Sequence, residues 1–227
     1  MGLSCSWITA KTTATKLADA LIAATPGIEV LKRLEGGSLR DLDTECNAAS
    51  KVRSQMRSAL GFYDEGERAV FIDSEMTWAT EDRLLSRMSD AVGSVLALTL
   101  ATHSGSAGFS YFENGRRVRQ VWNADGEITE DGSPLPDEPD SGFFYWAEAQ
   151  QLWASLGLGQ LGGWDGDVTI LVVRDHEGEK EAIERGVIAP FAGLADRAPE
   201  GNQGGMAASD PRSAPTQSPR KPWWKIF

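Results

Sequence analysis

The chain has 227 residues, of which 41% are hydrophobic and 24% are charged, and its formal net charge is −11 at pH 7. This composition is typical of a globular protein that is long enough to form one sizeable core. The negative charge would repel phosphate backbones, so it excludes nucleic acid as an expected partner and favours a basic protein instead.

The sequence contains two cysteines, Cys5 and Cys46, and neither belongs to a Cys-x-x-Cys motif or to a Cys/His cluster. A reduced, cytoplasmic chain without a metal site is therefore expected. No apolar stretch approaches the roughly 20 residues that a membrane-spanning helix needs. The N-terminus also lacks the pattern of a secretory signal.

The first quarter of the chain is predicted to alternate between strands and helices. Ser4–Ala10 is predicted as a strand, Thr13–Ala24 as a helix and Ile28–Leu34 as a short strand. The following stretch, Glu35–Asn47, is predicted as a loop. Ala48–Leu60 has apolar residues at helical spacing and is predicted as a second helix.

A hairpin, a helix and a strand are predicted next. Gly61–Asp73 is predicted as a hairpin around the turn Asp64-Glu65-Gly66. Thr80 is predicted to cap a helix that ends at Gly93. Val95–Thr102 then has the alternation of a strand.

The clearest hairpin signal is the dipeptide Asn114-Gly115, which type I′ turns favour because both central residues need φ > 0. With a two-residue loop there, strict alternation makes Tyr111 face Val118 and Phe112 face Arg117. One face is then predicted to belong to the core, and it holds Phe109, Tyr111, Val118 and Trp122. The other is predicted to be a mixed surface, and it holds Ser110, Phe112, Arg117, Arg119 and Val121.

An acidic, proline-punctuated loop is predicted after this hairpin, from Asp125 to Asp140. It contains seven carboxylates and no Lys or Arg. A solvated loop without a partner is the simpler interpretation, and a loop that binds a basic protein is the alternative. In the second case the candidate partner-binding residues are Asp125, Glu127, Asp137 and Glu138.

The stretch from Trp78 to Glu138 resembles small bacterial domains of unknown function. Those domains carry a helix and a strand, then a hairpin rich in aromatic residues and arginine, and then an acidic loop with a Gly-x-Pro-Leu-Pro segment. The resemblance implies a bacterial, non-enzymatic domain and brings no catalytic residues. The matching residues are Phe109, Tyr111, Gly115, Arg116, Arg119, Gly132, Pro134, Leu135 and Pro136.

The remaining elements complete one predicted domain over residues 1–195. Phe143–Leu156 is predicted as a helix, Gly157–Asp167 as a glycine-rich loop, Val168–Arg174 as an interior strand and Lys180–Arg185 as a short helix. Several hairpins and few strand-helix-strand units favour the α+β class. We therefore expect a mainly antiparallel sheet with helices packed on one face.

No motif in the sequence is a decisive catalytic signature. Gly157–Gly162, GLGQLG, has the letters of a dinucleotide fingerprint, but a helix precedes it and a strand follows, which reverses the order that binding requires. Ser104 and Ser106 lack the glycines of a nucleophile elbow. The two histidines, His103 and His176, are far apart. No cofactor, metal or catalytic residue is therefore expected.

The end of the chain is predicted to be a tether with a docking peptide. Asp196–Pro219 is poor in large apolar residues and is predicted to be disordered. In the last eight residues, 220–227, one helical turn would bring aromatic side chains together among basic ones. Such residues suit a partner's groove; a membrane interface or the chain's own domain are the alternatives. The candidate residues are Trp223, Trp224, Phe227, Lys221 and Lys225.

The function expected from these observations is that of a cytoplasmic protein-interaction module, immunity-like or an adaptor, that binds a basic partner. The alternatives are a small hydrolase that uses an acidic residue or His103, and a peripheral membrane adaptor held by the C-terminal peptide.

Overall fold

The computed structural model describes residues 4–51, 56–136, 138–139 and 144–186, with the backbone alone at Thr102. Its strands are β1 (Ser4–Ala10), β2 (Ile28–Gly37), β3 (Arg57–Glu65), β4 (Arg68–Asp73), β5 (Ser94–Ala101), β6 (Ser106–Glu113), β7 (Arg116–Ala124), β8 (Glu127–Gly132) and β9 (Val168–Asp175). Its α-helices are α1 (Ala14–Ala24), α2 (Leu39–Ser50), α3 (Asp82–Val92), α4 (Trp146–Ser155) and α5 (His176–Glu184).

All nine described strands form one sheet with the order β2-β9-β3-β4-β1-β5-β6-β7-β8. Every neighbouring pair is antiparallel. This confirms the α+β class and the antiparallel sheet. The interior position predicted for Val168–Arg174 is also confirmed, because β9 lies between β2 and β3, where both of its faces are covered.

Helices cover both faces of this sheet, whereas one covered face was expected. In β1, Cys5 and Trp7 point into a core that α2 and α4 close, while Ile8 and Ala10 point into a second core that α1 and α3 close. Trp7 meets Trp153 of α4 with their ring centroids 6.4 Å apart. The β1 sequence allows this because apolar residues occur on both faces of the strand, and Cys5–Ala10 are all buried.

The prediction for residues 35–60 is wrong. The predicted loop Glu35–Asn47 instead continues β2 and then forms most of α2, which begins with a capping box. In that box Ser38 Oγ accepts from the Asp41 N–H, and the Asp41 carboxylate accepts from the Ser38 N–H. The predicted helix Ala48–Leu60 ends at Ser50, and its last residues belong to β3, where pairing with β9 buries Leu60.

Smaller boundary errors occur at the next two elements. The β3–β4 hairpin is confirmed, but its strands extend further, so the turn is Gly66-Glu67. Glu81, and not Thr80, is the N-cap of α3. The Thr80 hydroxyl donates to the carbonyls of Met76 and Thr77 in the turn before the helix.

The helices after the central hairpin also differ from the prediction at their starts. α4 begins at Trp146, with Tyr145 as its N-cap. The first residue of the predicted helix, Phe143, lies outside the described residues. α5 begins at His176, four residues earlier than predicted, because the Asp175 carboxylate accepts from the Gly178 N–H and caps it.

The central hairpin has the predicted two-residue turn. Asn114 and Gly115 have φ values of +48° and +78°, which confirms the turn. The turn is fixed to α3, since Ser86 Oγ donates to the Gly115 carbonyl at 2.6 Å and Ser89 Oγ accepts from the Gly115 N–H at 2.9 Å.

The register beyond this turn is shifted by a β-bulge, and the predicted distribution of side chains is wrong there. Tyr111 pairs with Arg119 and not with Val118, which is the extra residue. Val118 is therefore 38% exposed, while Arg119 is only 2% exposed. Val121, predicted to lie on a mixed surface, is buried in the same core as Phe109. Phe112 keeps its predicted partner Arg117 but is also buried, because α1 and α3 cover its face of the sheet. A single inserted residue exchanges the two faces of a strand because the side-chain period is two.

Within the described part of the chain, no α-helix combines the length and the hydrophobicity needed to cross a membrane. The predicted tether Asp196–Pro219 and the terminal peptide lie outside the described residues.

Candidate functional site

The edge strand β8 and the turn before it form the candidate site, which we call the acidic edge and define as residues 125–132. Asp125 and Gly126 form the two-residue turn between β7 and β8, with φ values of +52° and +92°. Asp125 and Glu127 are exposed, as a role in partner binding requires. Ile128 is the one side chain of β8 that packs on the core. Within β8, therefore, most of the side chains face solvent.

Arg119 of β7 is buried beside this edge, whereas the alternation of the sequence predicts it on a mixed surface. Its Nε donates to Glu138 Oε2 at 2.9 Å, and its Nη2 donates to Glu138 Oε1 at 2.5 Å and to Glu130 Oε2 at 2.7 Å. Nη1 donates to the Gly132 carbonyl at 3.0 Å. The hydrogen bonds to Glu138, followed by those to Glu130, raise the pKa of Arg119.

This arrangement divides the predicted partner-binding carboxylates into two groups. Glu138 is held by Arg119 and by the Leu135 N–H, and its side chain is only 10% exposed. Asp125 and Glu127 are exposed, and no basic side chain among the described residues pairs with either of them. Asp137 lies outside the described residues. Asp125 and Glu127 therefore remain the candidates at this surface.

The other edge of the sheet, β2, differs in regularity and in charge. Its pairing with β9 shifts register twice, whereas β8 pairs with β7 without interruption. The charged side chains of β2 are of both signs and are matched inside the chain: Glu29 contacts His176, Lys32 contacts Glu45, and Arg33 contacts Glu35. Bulges and paired charges protect an edge strand from further pairing.

A buried carboxylate, Asp73, lies at the end of β4 on the face that α1 and α3 cover. It is 2% exposed, and its Oδ2 accepts from the N–H groups of Trp78 and Ala79 at 2.8 and 3.0 Å. These bonds fix the segment that leads into α3. Burial raises the pKa of Asp73 to about 6, against the opposing effect of these hydrogen bonds.

Replacing Asp73 by Asn is expected to change how stability depends on pH. Because the folded-state pKa lies above the unfolded value, Asp73 favours folding below about pH 4, and this contribution, about 3 kcal/mol, is lost as the pH rises through 6. Asp73→Asn keeps an oxygen acceptor and cannot ionise. Urea unfolding at about pH 4.5 and pH 7.5 should show a smaller fall in the variant than in the wild type.

The matched control for that experiment is Asp73→Ala, which removes both the charge and the acceptor. It should unfold about 2–4 kcal/mol more easily than Asp73→Asn at both pH values, since two buried N–H groups lose their partner. Equal pH dependence in Asp73→Asn and the wild type would show that Asp73 titrates normally in the folded protein.

The histidines make separate contacts. Ser4 Oγ lies 2.5 Å from His103 Nδ1, and His176 Nε2 lies 2.7 Å from Glu29 Oε2. Among the described residues, no carboxylate contacts His103. A relay of nucleophile, base and orienting acid is therefore not assembled around His103 there.

Both cysteines are free thiols in protected surroundings. Cys5 is 1% exposed, and burial raises its pKa strongly. Burial also raises the pKa of the Cys46 thiol to about 11, with nearby carboxylates adding to the effect. Since the thiolate is the nucleophilic form, neither environment activates a cysteine at neutral pH.

The glycine-rich segment Gly157–Gly162 connects α4 to β9, the order expected from sequence. Two of its backbone donors are used by side chains, because the Gly159 N–H donates to Glu65 Oε1 at 2.7 Å and the Leu161 N–H donates to Gln150 Oε1 at 2.8 Å. A pyrophosphate would have to displace a carboxylate from this loop, which is the opposite of a phosphate cradle.

No group of three or more His, Cys, Asp or Glu side chains in the described residues is placed to hold a metal ion. The predicted docking residues Trp223, Trp224, Phe227, Lys221 and Lys225 lie outside the described residues.

Comparison of the chain with protein-family models, curated proteins and solved structures gives no match. The resemblance of Trp78–Glu138 to small bacterial domains therefore stays a prediction, and the site is interpreted from its own residues.

Proposed function

We propose that this chain is a protein-interaction module that binds a basic, extended segment of a partner protein along the acidic edge. The observation that supports this most directly is the regular edge strand β8, which lies at the end of the sheet with exposed carboxylates of one sign. In an edge strand, alternate backbone N–H and C=O groups point away from the sheet and can pair with an added strand.

The charges of the acidic edge select between possible strands. In an antiparallel pairing of two copies of β8 centred on Thr129, Glu127 of each copy would lie opposite Asp131 of the other, which is unfavourable in a cross-strand pair. Glu130 and Asp131 also contact Arg119 and Arg117 within the chain. A strand with Lys or Arg at alternate positions would place opposite charges there instead. The edge is therefore suited to a basic partner and unsuited to self-association through β8.

This role fits an immunity-like or adaptor protein in the cytoplasm, and no enzymatic activity forms part of the proposal. The exposed carboxylates of the acidic edge support a binding role, and the described surroundings of His103 lack an orienting acid. The C-terminal peptide is proposed as a second docking element, because its aromatic and basic residues suit a partner's groove.

A basic peptide of about eight residues with alternating Lys and Thr tests the proposal, and an acidic peptide with Glu in place of Lys is its matched control. The basic peptide should slow hydrogen exchange at the amides of β8 and leave β2 unchanged. Its association rate should fall as salt rises from about 0.05 to 0.5 M, because screening shortens the range of charge attraction.

The double variant Asp125→Asn/Glu127→Gln should weaken binding of this peptide several-fold, since two unpaired carboxylates are lost. The matched control is Glu181→Gln/Glu184→Gln on α5, which makes the same charge change beside β2, at the opposite end of the sheet. Protection of β2 instead of β8, or equal loss in both double variants, would contradict the proposal.

A further inference from the structure

A pocket of about 220 Å³ opens on the α1/α3 face, between the start of α3 and the strands β5, β6 and β7. Its lining residues Gln120 and Trp122 pair with Asp131 and Thr129 of the acidic edge, but the proposed function does not use the pocket. The polar and aromatic side chains that line it are Thr80, Asp82, Thr99, Ser110, Gln120 and Trp122.

The pocket floor is built by strand register. Ser110 pairs with Gln120, and Gly108 pairs with both Thr99 and Trp122, so two rows of residues cross the three strands side by side. Gly108 leaves room for the Trp122 indole, because a Cβ at residue 108 would lie 2.4 Å from Trp122 Cε3. The indole thus lies against bare backbone and supplies an aromatic surface beside the polar row.

The polar groups on this floor have unused hydrogen-bonding capacity. Ser6 Oγ donates to Thr99 Oγ1 at 3.0 Å, and Gln120 Nε2 donates to Ser110 Oγ at 3.3 Å. Both acceptor hydroxyls therefore keep a hydrogen to donate, and Gln120 Oε1 keeps its acceptor sites. No described residue accepts a hydrogen bond from Trp122 Nε1. The pocket thus offers two hydroxyl donors, one indole N–H donor and one amide acceptor beside the Trp122 ring.

The charged residue in the pocket lining is paired with an arginine. Among the described lining residues Asp82 alone is charged, and its carboxylate accepts from Arg117 Nη1 at 2.5 Å, while Arg117 Nη2 also contacts Asp131 at 3.3 Å. A cationic ligand would have to compete with this guanidinium, and an anionic one would meet the carboxylate. The lining therefore suits a neutral ligand whose hydroxyl groups both donate and accept.

We propose that this pocket binds a single neutral sugar ring, a monosaccharide. The C–H face of the ring would lie on the Trp122 indole, and its hydroxyl groups would exchange hydrogen bonds with Thr99, Ser110 and Gln120. The volume of about 220 Å³ is sufficient for one ring. This is a second activity of the module, in addition to the binding proposed at the acidic edge.

The test is a nuclear magnetic resonance titration of the full chain with four probes: glucose, galactose, mannose and N-acetylglucosamine. At least one should shift the Trp122 indole N–H and the Gln120 side-chain amide saturably, below about 50 mM. Glucuronate and glucosamine, which carry a charge on the same ring, should bind more weakly.

Two variants and a control complete the test. Ser110→Ala should weaken the binding of that sugar about three- to tenfold, the effect of one neutral hydrogen bond. Ser110→Leu should abolish it by filling the pocket. Ser58→Ala, which removes a remote hydroxyl bonded to Glu75, should change nothing. The proposal is overturned if no neutral sugar shifts the Trp122 signal, if the shifts persist in Ser110→Leu, or if a charged analogue binds best.

Discussion

Replacing Arg119 by Met is expected to lower the free energy of unfolding by about 3–5 kcal/mol, the range found when one partner of a buried ion pair is removed. The Arg119 side chain is 3% exposed and that of Glu138 is 10% exposed, so the carboxylate would be left in a poorly solvated place. The Gly132 carbonyl would lose its donor as well. Urea unfolding at neutral pH measures the loss.

The double variant Arg119→Met/Glu138→Leu separates the ion pair from simple packing. It should recover most of the lost stability, because a buried pair replaced by apolar residues leaves no charge unpaired. Glu130→Gln should cost less than about 1 kcal/mol, since the Glu130 side chain is 47% exposed. If the double variant loses as much stability as Arg119→Met and Glu138→Leu together, the two residues are not a coupled pair.

Much of the fold could be predicted from local patterns, and its failures have physical causes. The Asn114-Gly115 turn and the strands β1 and β5 are short-range features that alternation and turn chemistry specify. The error at α2 has a different cause. Ser38 and Asp41 have the spacing of a capping box, so the start of this helix is visible in the sequence.

The bulge at Val118 could not be predicted from alternation, which assumes an unbroken register. Its consequence reaches the candidate site: Arg119 turns inward and meets Glu138, 19 positions later in the chain. Glu138 of the acidic loop therefore binds the guanidinium group of Arg119, although the loop itself contains no Lys or Arg. The pocket lined by Thr99, Ser110 and Gln120 could not be predicted either, since these residues come from three strands and meet only through the strand register.

Gly132→Ala is expected to destabilise the protein by about 2–4 kcal/mol, more than any other single glycine replacement on the β7–β8 hairpin. Gly132 has φ +82°, which costs an L-residue about 1–2 kcal/mol. In addition, a Cβ at Gly132 would lie 1.9 Å from the carbonyl oxygen of Val118, the extra residue of the bulge. That atom belongs to the backbone, so the strands themselves would have to separate.

Gly126→Ala is the matched control, because Gly126 has φ +92° at the other end of β8 and a Cβ there would meet no atom within 4 Å. It should cost only the conformational part, about 1–2 kcal/mol. The excess loss in Gly132→Ala therefore measures how tightly β8 packs against the bulge. Since that contact also places the Gly132 carbonyl on Arg119, hydrogen exchange at β8 should quicken in Gly132→Ala and not in Gly126→Ala. If the two variants lose the same stability, β8 moves away from the Val118 carbonyl at no cost in free energy.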